Sequence, residues 1–258
     1  EAYLREAQGK LPSNDPEMRI YKAYHILLKG DAHGATAEVR SGEKKCEKDP
    51  ALMLLIAEIF MTAGSYGEAN ASARKVERFC PENDGVFAVL AHSFYAQEEY
   101  DSAGDAARHA IEINPLNAYA KTVLMKLATR DGSYSIAEGI GVQILADCPE
   151  YSLAHANLGD VYFNQGRYEV AGVEYEQTEQ LMNAETKGTR LRKARMQFIK
   201  EDYKSAANLL EELIESQHTY YDDAMCDLLL CYDKLGEEEK KEDLMEKMQM
   251  RRSFYHRP

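Results

Sequence analysis

The stretch "HANLGDVYFNQGRYEVAGVEY", residues 155–175, sets Gly159 between Leu158 and Tyr162, breaks at Gln165-Gly166, and resumes with Tyr168, Ala171 and Tyr175. It reads as two helices joined by a short turn. Two antiparallel helices approach closely only where the facing residues are small, and Gly159 and Ala171 are the small ones here. Tyr162 and Tyr168 then fill the space beside that contact. Gly166 stands where the first helix must end, a position that glycine takes with positive φ at little cost.

The same order of sizes recurs along the chain. Aligned at a period of 34, blocks beginning at Pro50, Asp84, Ala118 and Ser152 superpose without a gap. Their eighth places hold Ala57, Ala91, Met125 and Gly159, and their twentieth Ala69, Ala103, Ala137 and Ala171. The eleventh holds Phe60, Phe94, Ala128 and Tyr162, the seventeenth Tyr66, Tyr100, Tyr134 and Tyr168. At the thirty-second stand Pro81, Pro115, Pro149 and Asn183, prolines that stop the second helix. A period of this length signals stacked helical pairs.

This pattern resembles the tetratricopeptide repeat family. The resemblance implies an all-α fold, an α-solenoid with a right-handed superhelix built from helix-turn-helix units. The chain divides accordingly into one array. Residues 1–15 read as the second half of a repeat whose first half is absent, with Leu4, Ala7 and Pro12 in place, so a longer array is expected to have been cut there. Residues 16–49 form a divergent repeat, and 50–83, 84–117, 118–151 and 152–185 are the clear ones. After Asn183 the register slips by about one residue. A shifted repeat over 187–221 follows, carrying Ala194, Tyr203 and Ala206, and then a divergent repeat with a capping helix over 222–258, where Lys241 takes the alanine place.

In such a fold the successive first helices line a groove, and the resemblance implies that places two, five, six and nine of each face it. The N-terminal blocks put Ile20, Tyr21, Tyr24, Leu54, Leu55, Glu58, Val89 and His92 there, a mainly apolar and aromatic strip. The later ones put Tyr119, Lys126, Asn157, Asp160, Leu191, Arg192 and Arg195 there, with Arg130 one turn beyond Lys126. The peptide-binding residues expected on this ground are Tyr24, Leu55, His92, Lys126, Arg130, Asn157, Arg192 and Arg195. Cations with an amide beside them suit a carboxylate or an acidic segment. The competing reading is a solvated basic face, with the cations pairing to Asp160. A carboxylate clamp of the chaperone-binding members is matched by Asn157 and Arg192 alone. Thr122, Lys126 and Gly188 depart from it.

The remaining residues argue against other classes. The formal net charge of -13 disfavours nucleic acid as a partner. No apolar run reaches the roughly 18 residues of a membrane span, so no membrane insertion is expected. Cys46, Cys80, Cys148, Cys226 and Cys231 form no C-x-x-C pair, which suits a reduced compartment, and the location expected is cytoplasmic. The seven histidines lie near no nucleophile elbow, H-E-x-x-H or phosphate loop, so no cofactor, no metal and no enzyme are expected.

The function expected is a non-catalytic scaffold that binds a protein or peptide segment in the groove. Two alternatives stay open: a structural subunit that self-associates or joins a complex through its convex face and ends, and a regulatory domain of a larger protein. If the period is structural, far-UV circular dichroism will show a helical spectrum; a clear strand signature would overturn it.

Overall fold

The helices begin where the chain supplies caps. In the computed structural model, which describes residues 15–181, 187–215 and 221–255, α1 (Pro16–Leu28) starts behind Asp15, whose carboxylate accepts from the Glu17 amide at 2.9 Å. The α3 helix (Pro50–Thr62) starts behind Asp49, which accepts from Ala51 and Leu52. Proline at N1 suits both starts, since its missing amide would have had no helical partner. Asn117 caps α7 (Ala118–Arg130) through the Ala120 amide at 2.7 Å.

The other helices in chain order are α2 (Ala32–Cys46), α4 (Tyr66–Phe79), α5 (Asp84–Ala96), α6 (Tyr100–Ile113), α8 (Tyr134–Asp147), α9 (Ser152–Asn164), α10 (Tyr168–Leu181), α11 (Lys187–Ile199), α12 (Tyr203–Glu215), α13 (Tyr221–Leu235) and α14 (Glu238–Tyr255). Among the described residues there is no strand. The half-repeat expected over 1–15, with Leu4, Ala7 and Pro12, lies outside them apart from Asp15. Asn183, His218, His256 and the Lys187 side chain lie outside them too.

The chain forms two compact units, one up to Leu158 and one from Gly159. Within the first, each odd-numbered helix packs antiparallel on its even-numbered successor, and α2, α4 and α6 pack in turn on α3, α5 and α7. The small places lie at these contacts. Ala23, Ala57, Ala91 and Met125 at the eighth, and Ala35, Ala69, Ala103 and Ala137 at the twentieth, are all fully buried. One continuous core of the first unit contains Ile20, Met53, Ile56, Phe60, Val76, Val86 and Leu90.

The second unit uses the same arrangement. Here α11 packs on α12, α12 on α13 and α13 on α14, with Ala171, Ala194, Ala206 and Leu210 buried. Gly159 is small because of Tyr175. A Cβ on Gly159 would come within 2.4 Å of the Tyr175 ring, which is 1% exposed and fixed by its hydroxyl donating to Asp160 at 2.9 Å. Four further aromatics interlock beside it: Phe163, Tyr168, Phe198 and Tyr203, with ring centroids 5.2 to 5.8 Å apart. Cys226 is exposed and Cys231 buried, as their spacing on one helix allows, and none of the five cysteines forms a disulfide.

Every first helix ends on a residue with positive φ at the fifteenth place. Gly64, Gly132 and Gly166 serve there, at φ of 82°, 74° and 74°. Two blocks put an L-residue at that place: Glu98 at 64° and Glu201 at 62°. Left-handed backbone costs such a residue about 1 to 2 kcal/mol. Glu98→Gly will therefore raise stability by about 1 kcal/mol in chemical denaturation, although glycine loses some of this through its freer unfolded chain. An unchanged or lower midpoint would show that the turn carries no strain. Gly159→Ala will lower stability by about 1 to 3 kcal/mol, because the buried ring opposite has no free space to enter; a neutral effect would contradict the packing described.

Candidate functional site

In the first unit the odd-numbered helices also touch one another, α1 against α3, α3 against α5 and α5 against α7. The even-numbered ones are bridged by long side chains instead. Arg40 on α2 grips Glu68 on α4 through two bonds of 2.8 and 2.7 Å, and Lys75 on α4 reaches Glu43 and Glu47 at 3.1 and 3.0 Å. The odd-numbered helices thus form the tighter, inner layer of this unit, and their outward surface is the candidate site.

Side chains on α1 and α3 give this surface an apolar character. Tyr24 and Leu28 lie one turn apart on α1 and are 42% and 48% exposed. Tyr21, Leu54, Leu55 and Met61 are half-buried, and each packs its remaining surface on the core. Ile20 and Val89, expected in the strip, belong to the core itself. Tyr119 on α7 stacks on His92 of α5 with centroids 3.7 Å apart, and its hydroxyl reaches the Met61 sulfur on α3 at 3.8 Å.

His92 is accordingly a packing residue. It is buried, its Nε2 lies 2.9 Å from the Tyr119 carbonyl and 3.3 Å from the Thr122 hydroxyl, and burial, assisted by the Lys126 charge, holds it well below the usual imidazole range. The cations of α7 rest on aromatic rings. Lys126 Nζ sits 5.5 Å from the Tyr95 centroid, and the Arg130 guanidinium 3.7 Å from that of Tyr100 while pairing with Asp131 at 3.1 Å. Asn157 is buried, and its Nδ2 has no hydrogen-bond partner.

Arg192 and Arg195 lie in the second unit, where both are buried and both are neutralised. Asp160 accepts from Arg192 at 2.7 Å on one oxygen, and from Arg195 at 2.8 Å and Tyr175 at 2.9 Å on the other. Arg195 gives its Nε to Asp227 at 2.6 Å and lays its guanidinium 4.7 Å from the Phe163 centroid. Two guanidiniums therefore meet two carboxylates in a closed set that joins α9, α11 and α13. An external carboxylate would have to displace Asp160 or Asp227 to reach these cations.

The two carboxyls respond differently. Burial opposes ionisation at Asp160, yet two guanidiniums outweigh it and hold this group below the usual carboxylate range. At Asp227 burial prevails over the single shared Arg195 and pushes the group up to about 6.

Sequence reasoning missed three parts of this arrangement. It did not use the twelfth place, where Tyr95 and Phe163 receive the cations that stand at the ninth place of the next block. It did not reach Asp227, although carrying the register on from Asp222 puts that residue at the groove-facing sixth place. It grouped Glu58 with the apolar strip, where the residue stands as a half-buried carboxylate on α3.

Paired helices at a 34-residue spacing, small at the eighth and twentieth places and turned at the fifteenth, define an all-α helical repeat solenoid. Residues 153–178 match the family model of the tetratricopeptide repeat. No curated protein sequence is significantly similar to the chain. Solved structures share the fold. A tetratricopeptide repeat protein from Parabacteroides merdae ATCC 43184 aligns at 16% identity over 88% of this chain and 89% of its own, with a TM-score of 0.57. A thermophilic protein of the family from Thermus thermophilus aligns at 16% identity over 74% and 98%, with a TM-score of 0.58. The APC/C hetero-tetramer Cut9-Hcn1 aligns at 14% identity over 89% of this chain and 45% of the other, with a TM-score of 0.64. Proteins of this fold generally mediate protein–protein interaction and are generally non-catalytic. No helix among the described residues is long and apolar enough to cross a membrane, and no group of metal-ligating side chains occurs among them.

The charge set makes two predictions. Asp160→Ala will cost about 3 to 5 kcal/mol at pH 7, since it leaves two buried guanidiniums facing one carboxylate; a loss below about 1 kcal/mol would mean that the set is solvated. Carbon-13 titration of the carboxyls will place Asp227 near 6 and Asp160 below the ordinary range. The stability owed to protonated Asp227 is full below the unfolded value of about 3.9 and lost as the pH rises through about 6. That owed to ionised Asp160 has the opposite sense, being present above about 3.9 and lost as the pH falls.

Proposed function

We propose that the protein is a non-catalytic scaffold that binds a protein segment along the inner layer of its first unit. The observation that carries this reading is the exposure of Tyr24 and Leu28 on α1, beside the half-buried Leu54 and Leu55 of α3. Large apolar side chains exposed together on a tight inner surface mark an interaction site more often than a structural one. A tyrosine presents contact area with few rotatable bonds, so it loses little entropy on binding.

The chemistry of this segment is apolar at α1 and α3. An acidic segment, expected from the run of cations, loses its support at Arg192 and Arg195, which are already matched by Asp160 and Asp227. Charge reversal at the latter pair acts on stability rather than on a binding face.

Selection of displayed random dodecapeptides against the protein tests the reading. Peptides recovered on the parent will bind Tyr24→Ser/Leu55→Ser at least about tenfold more weakly, the loss expected from truncating two apolar anchors, while the far-UV spectrum stays helical. Equal binding by the double variant would move the site elsewhere, and the even-numbered helices would then be the better candidate.

A further inference from the structure

Glu58 stands at the ninth place of α3, in the column that holds Tyr24 on α1, His92 on α5 and Lys126 on α7. Its neighbours on the same face of α3 are the apolar Leu54 and Leu55 one turn before it, and Met61 and the exposed Thr62 one turn after. It is half-buried, and among the described residues neither a hydrogen bond nor an ion pair satisfies it. Burial pushes its carboxyl above the usual glutamate range, with no cation among the described residues acting against it.

The surroundings account for this. On α1 the corresponding residues are Tyr21, whose hydroxyl donates to Glu17 at 3.2 Å, and Tyr24. Lys22 turns to Glu38 at 3.4 Å. On α5 the column holds the neutral His92. Gly85, at the second place of α5, puts no side chain on this face, and Leu54 occupies the space where its Cβ would stand, 2.9 Å from it. A carboxylate held among apolar groups without a partner costs stability, which a bound cation would recover.

We infer that the inner surface of the first unit takes a segment carrying a lysine or arginine side chain between apolar residues, with the cationic head on Glu58 and the aliphatic stem along Leu54, Leu55 and Tyr24. This rests on the binding reading above and gives it a chemistry. The stem and the head of such a side chain match the two properties of the site, apolar walls and an unpaired anion. A glutamate at the same point of the segment would face Glu58 across the same apolar walls and is rejected.

Four synthetic libraries of acetylated, amidated octapeptides test the inference. Seven positions are randomised over leucine, phenylalanine, tyrosine, serine and glycine, and one internal position is lysine, norleucine, glutamine or glutamate. The best lysine peptides will bind the parent at least about tenfold more tightly than the best norleucine peptides, as expected for a desolvated charged contact. Glutamate peptides will bind least. Glu58→Gln will abolish the lysine advantage and leave norleucine peptides unchanged. Its melting midpoint will lie at or above that of the parent, which shows that the variant is folded.

Norleucine peptides binding as well as lysine peptides, or a lysine advantage that survives Glu58→Gln, would overturn the cationic assignment while the apolar site stands. Absence of binders from all four libraries would overturn the site itself and the inference with it.

Discussion

The structure depends on the contact between small residues at the eighth and twentieth places. Ala57 and Ala69, and Ala91 and Ala103, are fully buried where their paired helices pack, and larger side chains such as Phe60 at the eleventh place fill the core beside them. This is how a unit too thin to bury a core by itself acquires one from its neighbours. Gly159 shows the rule under tension. Tyr175 has taken the space that an alanine methyl would occupy, and its hydroxyl is then fixed on Asp160, so one missing Cβ links the helix contact to the charge set.

The ninth place shows how one geometric position acquires different chemistry. Tyr24 is exposed there, Glu58 unpaired, His92 neutral under a stacked tyrosine, and Lys126 laid over a ring. In the second unit Asp160 and Arg195 hold the same place and neutralise each other. What differs is the set of neighbours. A charge there is either spent on internal bonds or left for a ligand, and Glu58 makes no internal bond among the described residues. The stability lost by keeping it is the kind of local cost that binding sites commonly carry.

Helix positions and the small contacts were legible in the sequence because each depends on residues of one repeat and recurs with every copy. A turn at the fifteenth place was legible from Gly64, Gly132 and Gly166, and the fold imposes the same positive φ on Glu98 and Glu201, which no glycine announces. The candidate site was legible only in outline. Its register could be counted, so Tyr24, Leu55 and Lys126 were located on the right helices.

By itself the sequence determined an all-α repeat fold, its period and the helix faces that carry Tyr24, Glu58, Lys126, Arg192 and Arg195, since these follow from side-chain size and helical spacing. Tertiary structure alone decided which of those charges are spent. Asp160 and Arg195 lie 35 residues apart in sequence and meet at 2.8 Å, and Arg195 and Asp227 lie 32 apart and meet at 2.6 Å. Glu58, on an equivalent face, meets no cation among the described residues. The reason is that electrostatic pairing acts over a few ångströms between different repeats, a separation that periodicity within one repeat does not encode.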